Sequence, residues 1–264
     1  MTAAITTQRR SRSAYQWKLA GLRALPVVVI VVAWVLGNTA FGVSPLILPD
    51  IVDSIAEIGV LLVSPDFYAA VGITIMEIIG ALLLASAIGL IVGFLLGRVR
   101  FVARVFESML GWVYMFPFVL LYPIFLLGLG VGPGSKVVYA GLVGAIPIAY
   151  NTVRGLAHVD KNYLRVARAF GARPLATDLH VRLSAALPMI RAGMRIGFSL
   201  VLISVILAEL LGSTSGLGFE LQRASDTFQN ARAFALVILI LVVCGVLQYF
   251  LERLLTPNYE KYLR

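Results

Sequence analysis

Two glutamates stand inside apolar runs: Glu77 in "ITIMEIIG" and Glu209 in "AELLGS". An ionised carboxylate is costly in hydrocarbon, so such a residue is a functional candidate by default. Glu209 is expected near the outer end of its run. There it could line a solute pathway, help form an external gate, pair with Arg223 or Lys136, or simply reach water at the interface. Glu77 is expected to pair within a bundle. Tyr114 and Tyr122 could face a solute or pack as aromatics, and interhelical hydrogen bonding accounts for Ser199 and Ser204. No nucleophile, base and oxyanion arrangement is legible. His158 and His180 lie far apart with no carboxylate-rich neighbourhood, and the single cysteine, Cys244, sits in an apolar run. That excludes an internal disulfide and gives no metal-ligand spacing. The reading is therefore not an enzyme, with no metal and no cofactor in this chain.

The elements that position these groups follow from composition. Of 264 residues, 60% are hydrophobic and only 13% charged, about half the charged share of a soluble domain. Mean hydropathy is +0.93. Lipid is the main solvent, and the fold expected is all-α and polytopic. A helix needs about 20 apolar residues to cross the hydrocarbon core. Six segments qualify: Ala24–Phe41, Ala69–Gly97, Val105–Leu129, Lys136–Val153, Pro188–Leu211 and Ala233–Leu254. The first is too long for a signal core and lacks a small-x-small cleavage site, so it is expected to be retained as an anchor. Ile47–Val63 carries Asp50, Asp53 and Glu57 and reads as an amphipathic segment at the interface. The division expected is a cytoplasmic segment over 1–23, a transmembrane domain over 24–254 and a cytoplasmic tail over 255–264.

Nineteen of the 22 lysines and arginines fall on one side of these spans, leaving Lys136, Arg223 and Arg232 on the other. The positive-inside rule then places both termini in the cytoplasm. The net charge of +9 is a topology signal, and a nucleic-acid partner is not expected. Acids gather on the outer side: Asp50, Asp53, Asp66, Glu220 and Asp226. Within the second span Gly89, Gly93 and Gly97 recur every four residues, a flat face on which another helix can pack closely. Pro117, Pro123 and Pro147 interrupt the middle spans and suggest helices that bend.

The loop of about 155–187 is polar between two apolar spans. Tyr163, Val166, Ala167 and Phe170 share one face of a short helix over Asp160–Phe170, opposite Lys161, Arg165 and Arg168. Gly171 is expected to end it. Pro174 is expected to open a second helix leading through Leu179 and Leu183 to Leu187-Pro188, where the next span begins. Spacing alone leaves three readings: a helix on anionic headgroups, a solvated positive-inside loop, or a helix docked in a partner's groove.

The order Ala167, Gly171, then "RLSAALP" before an apolar span resembles the "EAA" loop of permease subunits of bacterial ATP-binding-cassette importers. The stretch from Pro117 to Asp160 resembles the third and fourth spans of the nitrate, sulfonate and taurine importer permeases, and "AELLGSTSGLGFELQRA" the segment after their fifth. The resemblance covers roughly Tyr68 to Arg253. It implies a permease in the bacterial inner membrane that pairs with a second copy or a related subunit. It also implies an external binding protein and two cytoplasmic ATPases that hold ATP and Mg. This chain has no Gly-x-x-x-x-Gly-Lys-Ser/Thr loop with which to hold nucleotide itself. The resemblance makes the short helix a coupling helix, with Tyr163, Arg165, Val166, Ala167, Arg168, Phe170 and Gly171 at the ATPase contact. Arg165 and Val166 depart from the family's Glu-Ala, so an ion pair through that glutamate cannot form. Three alternatives follow: an acid on the ATPase facing Arg165, docking carried by Tyr163, Ala167 and Phe170, or a heterodimer whose other half keeps the glutamate. The relatives handle small, often anionic solutes. An ion-driven secondary transporter is the competing class, which six spans and one long basic loop fit poorly. A membrane scaffold without transport is a third.

Overall fold

The computed structural model describes residues 25–26, 28–40, 42, 44 and 47–255. The expected cytoplasmic segment over 1–23, the two ends of the first span and nearly all of the tail lie outside them. The described residues are helical, with no strand among them. They group into two compact units: residues up to Leu61 with Ala224–Ala235, and Leu62–Arg223 with the residues from Leu236 onward.

In the smaller unit, α1 (Val28–Thr39) is apolar but only a short helix. Trp34 Nε1 and Asn38 Nδ2 both donate to the Pro49 carbonyl, at 2.9 and 3.0 Å. The Trp34 ring packs on Phe234, with centroids 5.2 Å apart. Asp50 then caps α2 (Ile51–Val63) by accepting from Val52 N at 3.0 Å.

The larger unit contains α3 (Pro65–Gly97), α4 (Arg100–Tyr114), α5 (Tyr122–Leu129), α6 (Pro133–Ala157), α7 (Lys161–Ala169), α8 (Pro174–Ala176), α9 (Leu183–Gly212) and most of α10 (Leu217–Asp226) and α11 (Asn230–Leu255). Among the described residues, four helices are long and apolar enough to cross a membrane: α3, α6, the continuous helix Thr177–Gly212, and α11. The expected third span is not one straight helix. It is two pieces, Phe101–Val113 and Phe118–Leu129, bent by 80°. Pro117 lacks an N–H, and a 3₁₀ turn at Phe118–Leu121 replaces α-helical bonding there. Counting the bent pair gives five spans among the described residues; of the expected first span, Ala24–Phe41, only the short helix α1 falls among them.

A second departure concerns Pro188. The fifth span does not begin there. The helix enters through a π turn at Thr177–Arg182 and runs unbroken past Pro188 to Gly212. The carbonyl that a mid-helix proline frees does not end a helix held by its neighbours.

α6 is the centre of the unit, packed against α3 on one side and α9 on the other. The glycine row of α3 makes the first contact possible. A Cβ at Gly89 would lie 2.6 Å from Ile148 Cβ, and one at Gly93 2.5 Å from Thr152 Cβ; Gly97 faces Leu156 in the same way. Gly193 and Gly197 play the same part for α9 against Asn151 and Ile148. In lipid, where apolar side chains gain little by leaving their solvent, such close backbone approach drives helix association. Overpacking a filled contact costs about 1–3 kcal/mol. Gly93→Val is therefore expected to lower the Tm of the detergent-solubilised protein by several degrees. Gly111→Ala, at a site with open space, should leave it unchanged.

Candidate functional site

The chemistry-bearing residues collect at the two ends of the α3–α6–α9 bundle. At one end lies a sealed ionic junction. Lys136, in the first turn of α6, is 1% exposed and in ion-pair contact with Glu77 of α3, which is 2% exposed. Lys136 Nζ also donates to Ser213 Oγ, just beyond α9, at 2.8 Å. Apart from Lys136, no donor among the described residues reaches the Glu77 carboxylate. Burying a lysine this way needs its charge matched in place, and Glu77 supplies the match.

Glu209 of α9 is 1% exposed and organises the segment that follows it. Its Oε1 accepts from Thr74 Oγ1 and its Oε2 from Gly218 N, both at 2.7 Å. Thr74 Oγ1 in turn accepts from Leu217 N at 2.9 Å. The carboxylate thus satisfies the N-terminus of α10 and ties it to α3, an anion at a helix start. Gly216 has φ of +105°, and any Cβ there would strike the Glu209 carboxylate. The turn must be glycine for both reasons. Ser213 Oγ donates to the Ser215 carbonyl at 2.7 Å, and Tyr122 OH donates to the Gly212 carbonyl at 3.1 Å. Tyr122 is itself buried against the Tyr139 ring.

These positions bear on the sequence candidates. Glu77, Glu209 and Tyr122 are brought together in one cluster, enclosed by the chain. Lys136 pairs with Glu77, while Glu209 is held by a hydroxyl and a backbone amide. Arg223 lies within reach of Glu220 instead, at 3.9 Å. Tyr114 is in the last turn of α4, but its side chain lies outside the described structure. Thr74, Ser213 and Gly218 went unread in the sequence, where a threonine in a span and a Ser-Gly turn are common. Only the fold joins Thr74 to Glu209 and Leu217, more than a hundred positions away.

At the other end, α7 stands between α6 and α8. Asp160 caps it by accepting from Asn162 N at 2.9 Å. Gly171, at φ of +76°, closes it with a Schellman motif: Ala172 N donates to the Ala167 carbonyl and Gly171 N to that of Arg168. Leu164, 7% exposed, anchors the helix among Leu156, Val159, Ala186 and Ile190. The face expected to be apolar is left uncovered. Tyr163 is 60% exposed and Phe170 87%, with Val166 between them also exposed. Arg165 and Arg168 are exposed as well, with Arg168 Nε donating to the Leu164 carbonyl at 3.2 Å. The following turn is clamped to the end of α3. Asp178 accepts from Arg98 at 3.0 Å and pairs with Arg182 at 3.1 Å, and Arg182 Nη1 donates to the Arg98 carbonyl at 2.7 Å. The sequence had offered Arg98 and Arg182 only as topology charges.

Membrane-length helices thus enclose a polar junction at one end, and a short amphipathic helix stands exposed at the other. The chain belongs to the family of binding-protein-dependent transport system inner membrane components, matched over residues 85–261, and so is a permease component of an ABC importer. It is 29% identical over 247 residues to the putative aliphatic sulfonates transport permease protein SsuC of Bacillus subtilis, covering 94% of this chain and 88% of that one. It is 26% identical to the taurine transport system permease protein TauC of Escherichia coli, covering 93% and 94%. A probable ABC transporter permease protein of Haemophilus influenzae is 34% identical over 178 residues, covering 67% of this chain and 72% of that one. Among solved structures, an inward-facing form of the MetNI methionine ABC transporter matches the fold at a TM-score of 0.58 and 22% identity, covering 72% of this chain and 96% of that one.

Removing one partner of a buried ion pair costs about 3–5 kcal/mol, because the other charge stays buried and bare. Lys136→Met is expected to lower thermal stability in detergent by that order. Lys136→Met combined with Glu77→Leu should recover most of the loss. Thermal unfolding of the four proteins of this double-mutant cycle checks it; simple additivity would contradict a direct pair.

Proposed function

We propose that this permease forms half of a translocation pathway for a small organic anion of the aliphatic-sulfonate type and that α7 is its coupling helix. The second half is another copy or a related subunit. Two cytoplasmic ATPase subunits carry ATP and Mg, and an external binding protein delivers the solute. The distribution of basic residues supports a cytoplasmic position for both termini and α7; in this reading the Glu77–Lys136 junction faces outward. The names of the SsuC and TauC relatives support the sulfonate class.

The observation that carries this reading is the uncovered face of α7. A helix that exposes Tyr163, Val166 and Phe170 while its only buried side chain, Leu164, holds it to the bundle is built to be gripped from outside. A groove on a soluble partner supplies the missing cover, as in helix-in-groove recognition. The pathway candidates take a different role. Glu77, Glu209 and Tyr122 act as a latch that holds the outer ends of α3, α6 and α9 together.

Docking is mainly apolar in this reading, because Arg165 replaces the carboxylate the family carries. Phe170→Asp is expected to reduce ATP-driven uptake by at least about tenfold, the loss typical of a central interface anchor. Arg165→Ala should change it by no more than about twofold, as for an exposed charge. Uptake and ATP hydrolysis by the reconstituted complex provide the measurement. An arginine change as damaging as the phenylalanine change would overturn apolar docking, and uptake that needs an ion gradient without an ATPase would overturn the importer.

A further inference from the structure

With the outer junction sealed, the polar face the chain leaves open lies elsewhere. Arg104, Glu107, Ser108 and Gly111 fall on one side of α4, and Tyr150 and Arg154 lie one turn apart on α6. Five of these six, all but Arg154, line a cleft of about 460 Å3 together with Trp112 and Met115, a volume ordinary for a small-molecule site.

The charges in the cleft do not cancel. Glu107 pairs with Arg154 at 3.1 Å, and the Arg154 guanidinium stacks over the Tyr150 ring at 5.7 Å. Arg104 lines the cleft with no acid within ion-pair distance among the described residues. One net positive charge therefore faces the opening. Snorkelling to the headgroups explains an arginine at the end of a span. It does not explain a row that continues through Glu107 and Ser108 to Gly111, about two turns further along an apolar stretch. Polar groups at such depth line water or meet protein. Two to three turns further along from Arg104, Trp112 and Met115 are both exposed, an apolar continuation of the same cleft.

We propose that this α4–α6 cleft is an inner vestibule of the pathway, in which Arg104 receives the oxyanion head of an organic anion and Trp112 and Met115 receive its alkyl part. The inference rests on the importer reading above and adds the residues that contact the solute. A headgroup of an anionic phospholipid offers the same chemistry, an oxyanion joined to alkyl chain, so the test separates the two sources.

The single cysteine makes the test direct. In a Cys244→Ser background, Ser108→Cys is placed in the assembled transporter and labelled from either side of membrane vesicles, with and without nucleotide. Two water-soluble methanethiosulfonates are compared, one bearing an ethylsulfonate and one a quaternary ammonium. The cysteine is expected to react faster with the anionic reagent, by about tenfold, the order expected of one guanidinium at short range in a partly desolvated site. Arg104→Gln should abolish that preference without abolishing reaction. Ethanesulfonate should slow labelling in the Arg104 protein and not in the Arg104→Gln protein. The result should be the same in vesicles of zwitterionic lipid alone and in vesicles containing phosphatidylglycerol. A cysteine that resists both reagents from both sides would mean that the face is sealed by the second subunit and would overturn the vestibule. So would labelling suppressed by phosphatidylglycerol with no protection by ethanesulfonate, which marks a lipid site. Uptake of ethanesulfonate by the unmodified transporter is measured in parallel. If uptake fails while the Arg104-dependent preference persists, the sulfonate assignment falls and the vestibule stands; uptake with an unreactive cysteine sinks the vestibule alone.

Discussion

A lysine enclosed by membrane helices has to meet its counter-charge at a fixed point, and that requirement shapes this bundle. Lys136 meets Glu77, and the meeting sets the register of α6 against α3. A buried pair of this kind contributes more to register than to net stability, because both charges give up their water. The same ammonium reaches Ser213, so the end of α9 is held in the same place. Glu209 then stitches the start of α10 to Thr74 on α3. Three helices and a turn share one polar junction, and each of its hydrogen bonds strengthens in the low-dielectric surroundings that make unpaired members costly.

The junction depends on close packing along the rest of the same helices. The row Gly89, Gly93 and Gly97 lets α3 lie directly on α6, and it runs to the end of α3 where Arg98 begins the clamp with Asp178 and Arg182. That clamp belongs to the turn that carries α7 into α9. The helix from Thr177 to Gly212 is continuous, so an unbroken helix leads from the turn after α7 to the sealed junction at the far end. The one sharp break, at Pro117, lies off this line between α4 and α5.

Much of this was legible in the chain. The glycine spacing gave the packing face of α3 because a four-residue period places small residues on one side of a helix. Asp160 and Gly171 marked the ends of α7 because a cap and a left-handed residue are local requirements. Two isolated glutamates flagged the junction because lipid tolerates few charges. Leu164 was harder to place: the apolar stripe of α7 was read from Tyr163, Val166, Ala167 and Phe170, and periodicity does not say which apolar residue turns toward the bundle. Pro188 misled as a boundary and Pro117 was a boundary in fact, since a proline ends a helix only where neighbouring helices do not hold it.

By itself, then, the sequence determined a lipid-dissolved helical chain, the short amphipathic helix in its polar loop and its two suspect glutamates. Those properties depend on composition, local period and the few residues that cap or break a helix. Tertiary structure alone decided that Lys136 answers Glu77, that Glu209 holds a backbone amide rather than a cation, and that Arg104 is left facing a cleft. Pairing between distant residues depends on which helix faces meet across the bundle, and no local pattern carries that information.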